Sequence, residues 1–125
     1  MTEAIIPDDL RDFILRHIDS VAQLEALLLL RSNPGADWDA AEAAKRLYIG
    51  EQAAAEVLGR LCADGLLGQN AGRYRYQERN EEQRRMVDRL AEAYARHLIP
   101  VTNIIHAKPG RIRQFADAFK FRRNR

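Results

Sequence analysis

Cysteine is nearly missing from this sequence: Cys62 stands alone, so no internal disulfide can form. No second thiol completes a zinc pattern with it. Its place on an apolar helical stripe makes it a small core residue. Histidine is scarce too, with only His17, His97 and His106. The last two are nine residues apart, not the four of a helical metal pair. A Gly-rich phosphate loop is also absent. The acid pairs Asp8-Asp9 and Glu81-Glu82 fall at helix starts, where carboxylates favour the dipole. Catalysis, a metal and a cofactor are therefore not expected. The leucine run Leu27-Leu28-Leu29-Leu30 is far too short to span a bilayer, and no leader-like stretch precedes it. A cytoplasmic chain is the expectation.

What remains is ordinary globular material. The sequence has 125 residues, 46% of them apolar, enough for a core. A net charge of +2 conceals strong segregation. Residues 1–66 hold six Lys/Arg against twelve Asp/Glu, a net of −6. Residues 67–105 carry +2 and residues 106–125 carry +6, so an acidic front precedes a basic tail.

Residues 38–76 organise the chain. Asp39-Ala40-Ala41-Glu42 has capping-box spacing and opens a helix that ends at Leu47 and Tyr48. Ile49-Gly50 makes a turn. Ala54, Val57, Leu58, Leu61 and Cys62 then mark the buried stripe of a second helix. Asp64-Gly65 stops it, because glycine takes the left-handed conformation at little cost. Strands at 66–69 and 73–76 pair across Asn70-Ala71-Gly72, read as a three-residue hairpin loop. Alternation along the second strand turns Tyr74 and Tyr76 toward the core edge and Arg73 and Arg75 outward. The link Ala36-Asp37-Trp38 is placed to lend a third strand.

On these residues the segment resembles the winged helix-turn-helix family, known from bacterial transcription regulators. The likeness covers residues 20–76. It rests on the Trp-led capped helix, on Leu61-Cys62-Ala63-Asp64-Gly65-Leu66-Leu67, and on the strand Arg73-Tyr74-Arg75-Tyr76. It implies a mainly α fold with a small β-hairpin wing. It implies duplex DNA as a partner, the second helix entering the major groove through Glu51, Gln52, Ala55, Glu56 and Gly59, with Arg60 beyond. The same fold also serves as a protein-docking module, so the resemblance leaves both uses open.

The flanks add helices. Pro7 before Asp8-Asp9 suits a helix start, with Leu10, Phe13, Ile14 and Ile18 on one face. Ser20 caps a second helix with Val21, Leu24, Leu27, Leu28 and Leu30 apolar, closed by Asn33-Pro34-Gly35. Leu29 makes its last turn apolar nearly all round, as in a helix central to a bundle. Asn80-Glu81-Glu82-Gln83 opens the longest pattern, in which Met86, Val87, Leu90, Tyr94, His97, Leu98, Val101, Ile104 and Ile105 stay in phase. Pro100 interrupts it, at a cost of about 3 kcal/mol inside a helix. Either two helices meet there or one runs through kinked, and the unbroken phase favours the kink. Lys108-Pro109-Gly110 ends the pattern before a short basic helix with Ile112, Phe115, Ala116 and Phe119 on one face. Its closing phrase, Phe115 to Arg123, resembles the end of small bacterial winged-helix proteins without an assigned role and implies no activity. The expected organisation is a winged helix-turn-helix unit, 1–79, followed by a helical association region with a basic tail, 80–125.

Three uses fit. As a homodimeric regulator, the chain would touch DNA through Lys45, Arg46, Gln52, Arg60, Arg73 and Arg75 and through the tail cations Arg111, Arg113, Lys120, Arg122 and Arg123. Two glutamates on the reading helix oppose that use. As an adaptor, the chain would offer the same acidic helix to a basic protein. A basic, Phe-bearing tail helix on an anionic membrane surface ranks below both. For the homodimer, the stripe through Leu90, Tyr94, Leu98, Val101, Ile104 and Ile105 is the expected interface. The alternative is that the tail helix folds back over that stripe.

Overall fold

Short polar side chains start three of the helices. The structure, a computed structural model, describes residues 5–107. Its order is α1 (Asp8–His17), α2 (Val21–Ser32), α3 (Ala40–Leu47), α4 (Glu51–Ala63), β1 (Leu67–Asn70), β2 (Arg73–Tyr76), α5 (Glu81–Arg96) and α6 (Leu98–His106). The Ser20 hydroxyl accepts from the Gln23 amide at 3.1 Å ahead of α2. Asp39 and Glu42 form the reciprocal box at α3: Asp39 accepts from the Glu42 amide at 2.8 Å, and Glu42 accepts from the Asp39 amide at 3.0 Å. At α5 only half of the expected box forms. Asn80 accepts from the Gln83 amide at 2.8 Å, but the Gln83 carbonyl oxygen accepts from Arg79 instead, at 2.7 Å. These contacts satisfy amides that an isolated helix start leaves open.

The chain is mainly helical, with one small antiparallel sheet of two strands, β1 and β2. Leu67 pairs with Tyr76 and Asn70 with Arg73, so the connecting loop is Ala71-Gly72 alone, one residue shorter than expected. Both loop residues have positive φ, 55° and 78°. That is the backbone a two-residue hairpin requires for its twist to match the strands, and Ala71 adopts it without being glycine. Trp38 adds a single bridge to Tyr74, the remnant of the anticipated third strand.

Helix α2 lies at the centre. Leu24, Ala26, Leu27 and Leu30 have no exposed surface, and the helix packs against α3, α4 and β2. On the other side α5 and α6 pack on α1 and on each other. One apolar cluster joins both halves, from Leu10 and Ile14 through Leu58 and Leu61 to Val87 and Ile105, so the core runs across the expected boundary at residue 79.

The long C-terminal pattern is two helices rather than one kinked helix. The break is at His97, whose φ of −134° and ψ of 60° are not helical. Pro100 is the cause. In a continuous helix its ring would press on the carbonyl of Arg96, and it has no N–H to bond there. Restarting at Leu98 puts proline in a first turn, where amides have no intrahelical partner anyway. The turn in direction lets Val101, Ile104 and Ile105 reach the core, which explains how a single chain covers its own stripe. Among the described residues no helix is long and apolar enough to cross a membrane.

A bidentate ion pair ties α1 to α5. Arg89 donates to the two Asp9 oxygens at 2.8 and 2.9 Å. That hydrogen-bonded guanidinium brings the Asp9 carboxyl from the ordinary 3.8 down to about 2, with the Leu10 amide assisting. A depressed carboxylate contributes stability above its unfolded pKa and loses it as pH falls through its folded one. Urea unfolding of Asp9→Asn should therefore show a flatter stability profile than wild type between pH 3.8 and about 2. An unchanged slope there would show that the pair does not contribute. In the core, Leu27→Ala should lower the urea-unfolding free energy by about 2–5 kcal/mol, the range for a buried leucine that leaves a cavity.

Candidate interaction surface of α4 and the hairpin

The hairpin arginines are held by carboxylates of their own chain. Strand alternation works as expected: Tyr74 is buried and Tyr76 half-buried, whereas Arg73 and Arg75 face outward. The Trp38–Tyr74 bridge, bonded in both directions at 2.8 and 2.7 Å, sets Asp37 and Asp39 beside them. Arg75 Nε donates to Asp37 at 2.8 Å. Arg73 donates to Glu42 and to the Asp37 carbonyl, both at 3.0 Å, and lies 3.5 Å from Asp39. Glu42 is the same residue that completes the α3 capping box, so helix start and hairpin are one network. Each exposed pair contributes at most about 1 kcal/mol. Their main effect is electrostatic, since the carboxylates offset the positive charge of both arginines along this edge.

The remaining sequence-predicted cations divide. Arg60 on α4 pairs with Asp19 of the α1–α2 connection. The Arg46 guanidinium lies over the Trp38 ring, 5.4 Å from its centroid, a cation–π contact. Lys45 is exposed and, among the described residues, makes no ion pair. Arg111, Arg113, Lys120, Arg122 and Arg123 lie outside the described residues, as does the segment with Ile112, Phe115 and Phe119 for which a helix is expected.

Helix α4 turns Glu51, Gln52 and Glu56 to solvent, and among the described residues neither glutamate has an ion-pair partner. Its inner side, Ala54, Leu58 and Leu61, is fully buried against α2 and α3. Gly59 stands mid-helix with nothing within 4 Å of where a Cβ would lie. A helix-interior glycine costs roughly 0.5–1 kcal/mol relative to alanine, and no neighbour in the chain requires it. Just ahead of α4, Tyr48 sits at φ 59° and is 94% exposed. The end of α3 at Tyr48 is legible in the sequence, but nothing local marks its ring as exposed. Acid residues Asp37, Asp39 and Glu42 were likewise missed as partners of the arginines. Pairing Trp38 with Tyr74 antiparallel would have revealed them, since it sets 37 against 75 and 39 against 73.

Titratable groups elsewhere serve the fold. His17 Nδ1 is 3.2 Å from an Asp64 carboxylate oxygen, linking α1 to the end of α4. Cys62 is half-buried, and that burial pushes its thiol up. Burial, with Glu78 and Asp88 nearby, pushes Tyr76 up to about 12. Among the described residues no group of three or more His, Cys, Asp or Glu side chains is placed to hold a metal ion.

Four of the six residues expected at a dimer interface are not on the surface. Leu90, Val101 and Ile105 have no exposed area and Ile104 has 8%, all within one chain. Tyr94 is half-buried and donates to Glu25 at 2.6 Å. Leu98 alone is open, at 48%. The His97 break accounts for this burial, because it folds the stripe onto α1.

No family model matches the chain, nor does any curated protein or solved structure. The site's own electrostatics can be tested directly. Asp37→Asn combined with Glu42→Gln keeps the capping geometry, because glutamine also serves at that position. With those two carboxylates neutralised, only Asp39, 3.5 Å from Arg73, still opposes the pair, so low-salt duplex binding should rise above that of the wild type, with a salt dependence set by about one to two phosphate contacts. Fluorescence anisotropy across a salt series measures it, and a variant that binds duplex no better than the wild type would show that the carboxylates do not mask the arginines.

Proposed function

We propose that this chain is a winged helix-turn-helix protein that works as a protein-docking adaptor, offering the outer face of α4 to a basic partner. One observation carries the proposal. The cations Arg60, Arg73 and Arg75 are each opposed by a carboxylate of the same chain, while Glu51 and Glu56 stand unopposed among the described residues. Residues 36–76, the part that would face a duplex, hold six Asp/Glu against five Lys/Arg. Duplex affinity comes largely from cationic contacts, so such a surface is a poor groove reader. For a basic protein the same two glutamates are an attraction, steering encounter and suppressing acidic competitors. Gly59 and the small Ala55 and Ala63 let a partner approach the α4 backbone closely.

Duplex DNA is the second reading. Lys45 and Arg46 are both exposed at the end of α3, and exposed ion pairs are weak enough for phosphate to compete.

Titrating random duplex at low salt separates the two. The adaptor reading expects no saturable binding at micromolar protein. It also expects affinity capture from cell extract to recover a partner with the wild type and to lose it with Glu51→Lys and Glu56→Lys together. Salt-dependent duplex affinity that disappears with Arg73→Ala and Arg75→Ala would overturn the adaptor reading in favour of DNA.

A further inference from the structure

Four large apolar side chains are strongly exposed among the described residues, and three of them lie around the start of α6: Ile5 at 51%, Leu98 at 48% and Ile99 at 63%. Leu98 and Ile99 belong to the first turn of the helix. Ile5 lines the same hollow as His97, the residue just before them. Further along α6, Asn103 and His106 are exposed as well. Positions 99, 103 and 106 therefore mark one side of α6 that no described element covers.

The chain itself carries a segment of the right length and pattern to cover that side. The described residues end at Ala107, at the far end of the same helix. Helix α6 has nine residues and rises about 13 Å from Leu98 to His106. Lys108-Pro109-Gly110 stops it from continuing. Residues 111–119, outside the described part, again number nine, with Ile112, Phe115, Ala116 and Phe119 at the spacing of one helix side. A helix that returns antiparallel after so short a connection makes an αα-hairpin. Equal lengths then bring Ile112 level with His106 and Phe119 level with Leu98 and Ile99. The tether also favours this occupant over a separate molecule, because a short link sets an effective concentration on the order of millimolar.

We propose that residues 111–119 of the same chain cover the exposed side of α6, with Phe119 seated on Leu98, Ile99 and Ile5. Arg111, Arg113 and Lys120 then fall on the flanks of the apolar stripe, as helical spacing requires. Helix α6 packs on α1 and α5, whereas α4 packs on α2, α3 and β1. The basic tail is thereby held on the α1–α5 side of the molecule rather than on α4. This inference goes beyond the α4 reading and does not depend on it.

Hydrogen exchange of the full chain, read by mass spectrometry, tests the contact. At a concentration where sedimentation equilibrium gives the mass of one chain, amides of 111–119 should exchange at least about tenfold more slowly than in a free peptide of that sequence. Ile99→Glu should remove this protection and leave exchange in α1 to α5 unchanged, since Ile99 is 63% exposed and takes no part in the core. Ile99→Leu should retain the protection, and Phe119→Glu should abolish it as Ile99→Glu does. Free exchange of 111–119 in the wild type overturns the proposal. Protection that survives Ile99→Glu combined with Leu98→Glu overturns it too, placing the segment elsewhere. Protection present only in a dimer does the same, making a second copy the cover. None of these variants alters α4, so each outcome leaves the α4 reading where it stands.

Discussion

Two backbone hydrogen bonds between Trp38 and Tyr74 decide what the hairpin can present. They fix residues 37 and 39 opposite 75 and 73 in antiparallel register, and in this sequence that sets two aspartates against two arginines. Glu42 joins them because the α3 capping box begins one residue after Trp38. The electrostatic character of the hairpin edge follows from this register together with Glu42. As it stands that edge is close to neutral, and the charges without an ion-pair partner among the described residues of α3 and α4 include Lys45 and Arg46 as well as Glu51 and Glu56.

A second constraint acts through proline. Pro100 forbids a continuous helix, and the chain meets this by leaving helical geometry at His97, three residues earlier. The consequence is tertiary. Val101, Ile104 and Ile105 swing onto α1 and complete a core that α2 alone could not close. Leu98 and Ile99 belong to the first turn after the break and are left outside. The same event therefore buries one apolar set and exposes another.

Helix existence was legible in the sequence wherever caps and periodicity agreed. Ser20, Asp39 and Asn80 each mark a helix start, and the leucines of α2 are as central as their all-round distribution implied. Apolar phase does not reveal the break ahead of Pro100, because it records which residues are buried and not whether the backbone between them is continuous. Two helices meeting at an angle can bury the same residues as one. Hairpin length was misjudged by one residue because Ala71 carries positive φ without the glycine that usually announces it. The candidate site was harder still. Arg73 and Arg75 were visible as outward-facing cations, but charge pairing is a property of register between distant segments, thirty-one to thirty-eight residues apart here. Exposure of Tyr48 and Ile99 had no local signal at all, since an apolar residue in a helical phase reads as core until the neighbouring element is placed.

The two departures from local optimality on the α4 side bear on function. Tyr48 holds a left-handed backbone that costs a non-glycine residue about 1–2 kcal/mol. Its ring makes no compensating contact, being 94% exposed. Gly59 gives up helix propensity with open space where a side chain would fit. In a chain whose helix starts, core and turns otherwise agree with one another, such unreturned costs fall preferentially where another molecule binds. An aromatic side chain ahead of a helix and a bare stretch of backbone along it supply what a flat acidic face lacks: an anchor and a place for close approach.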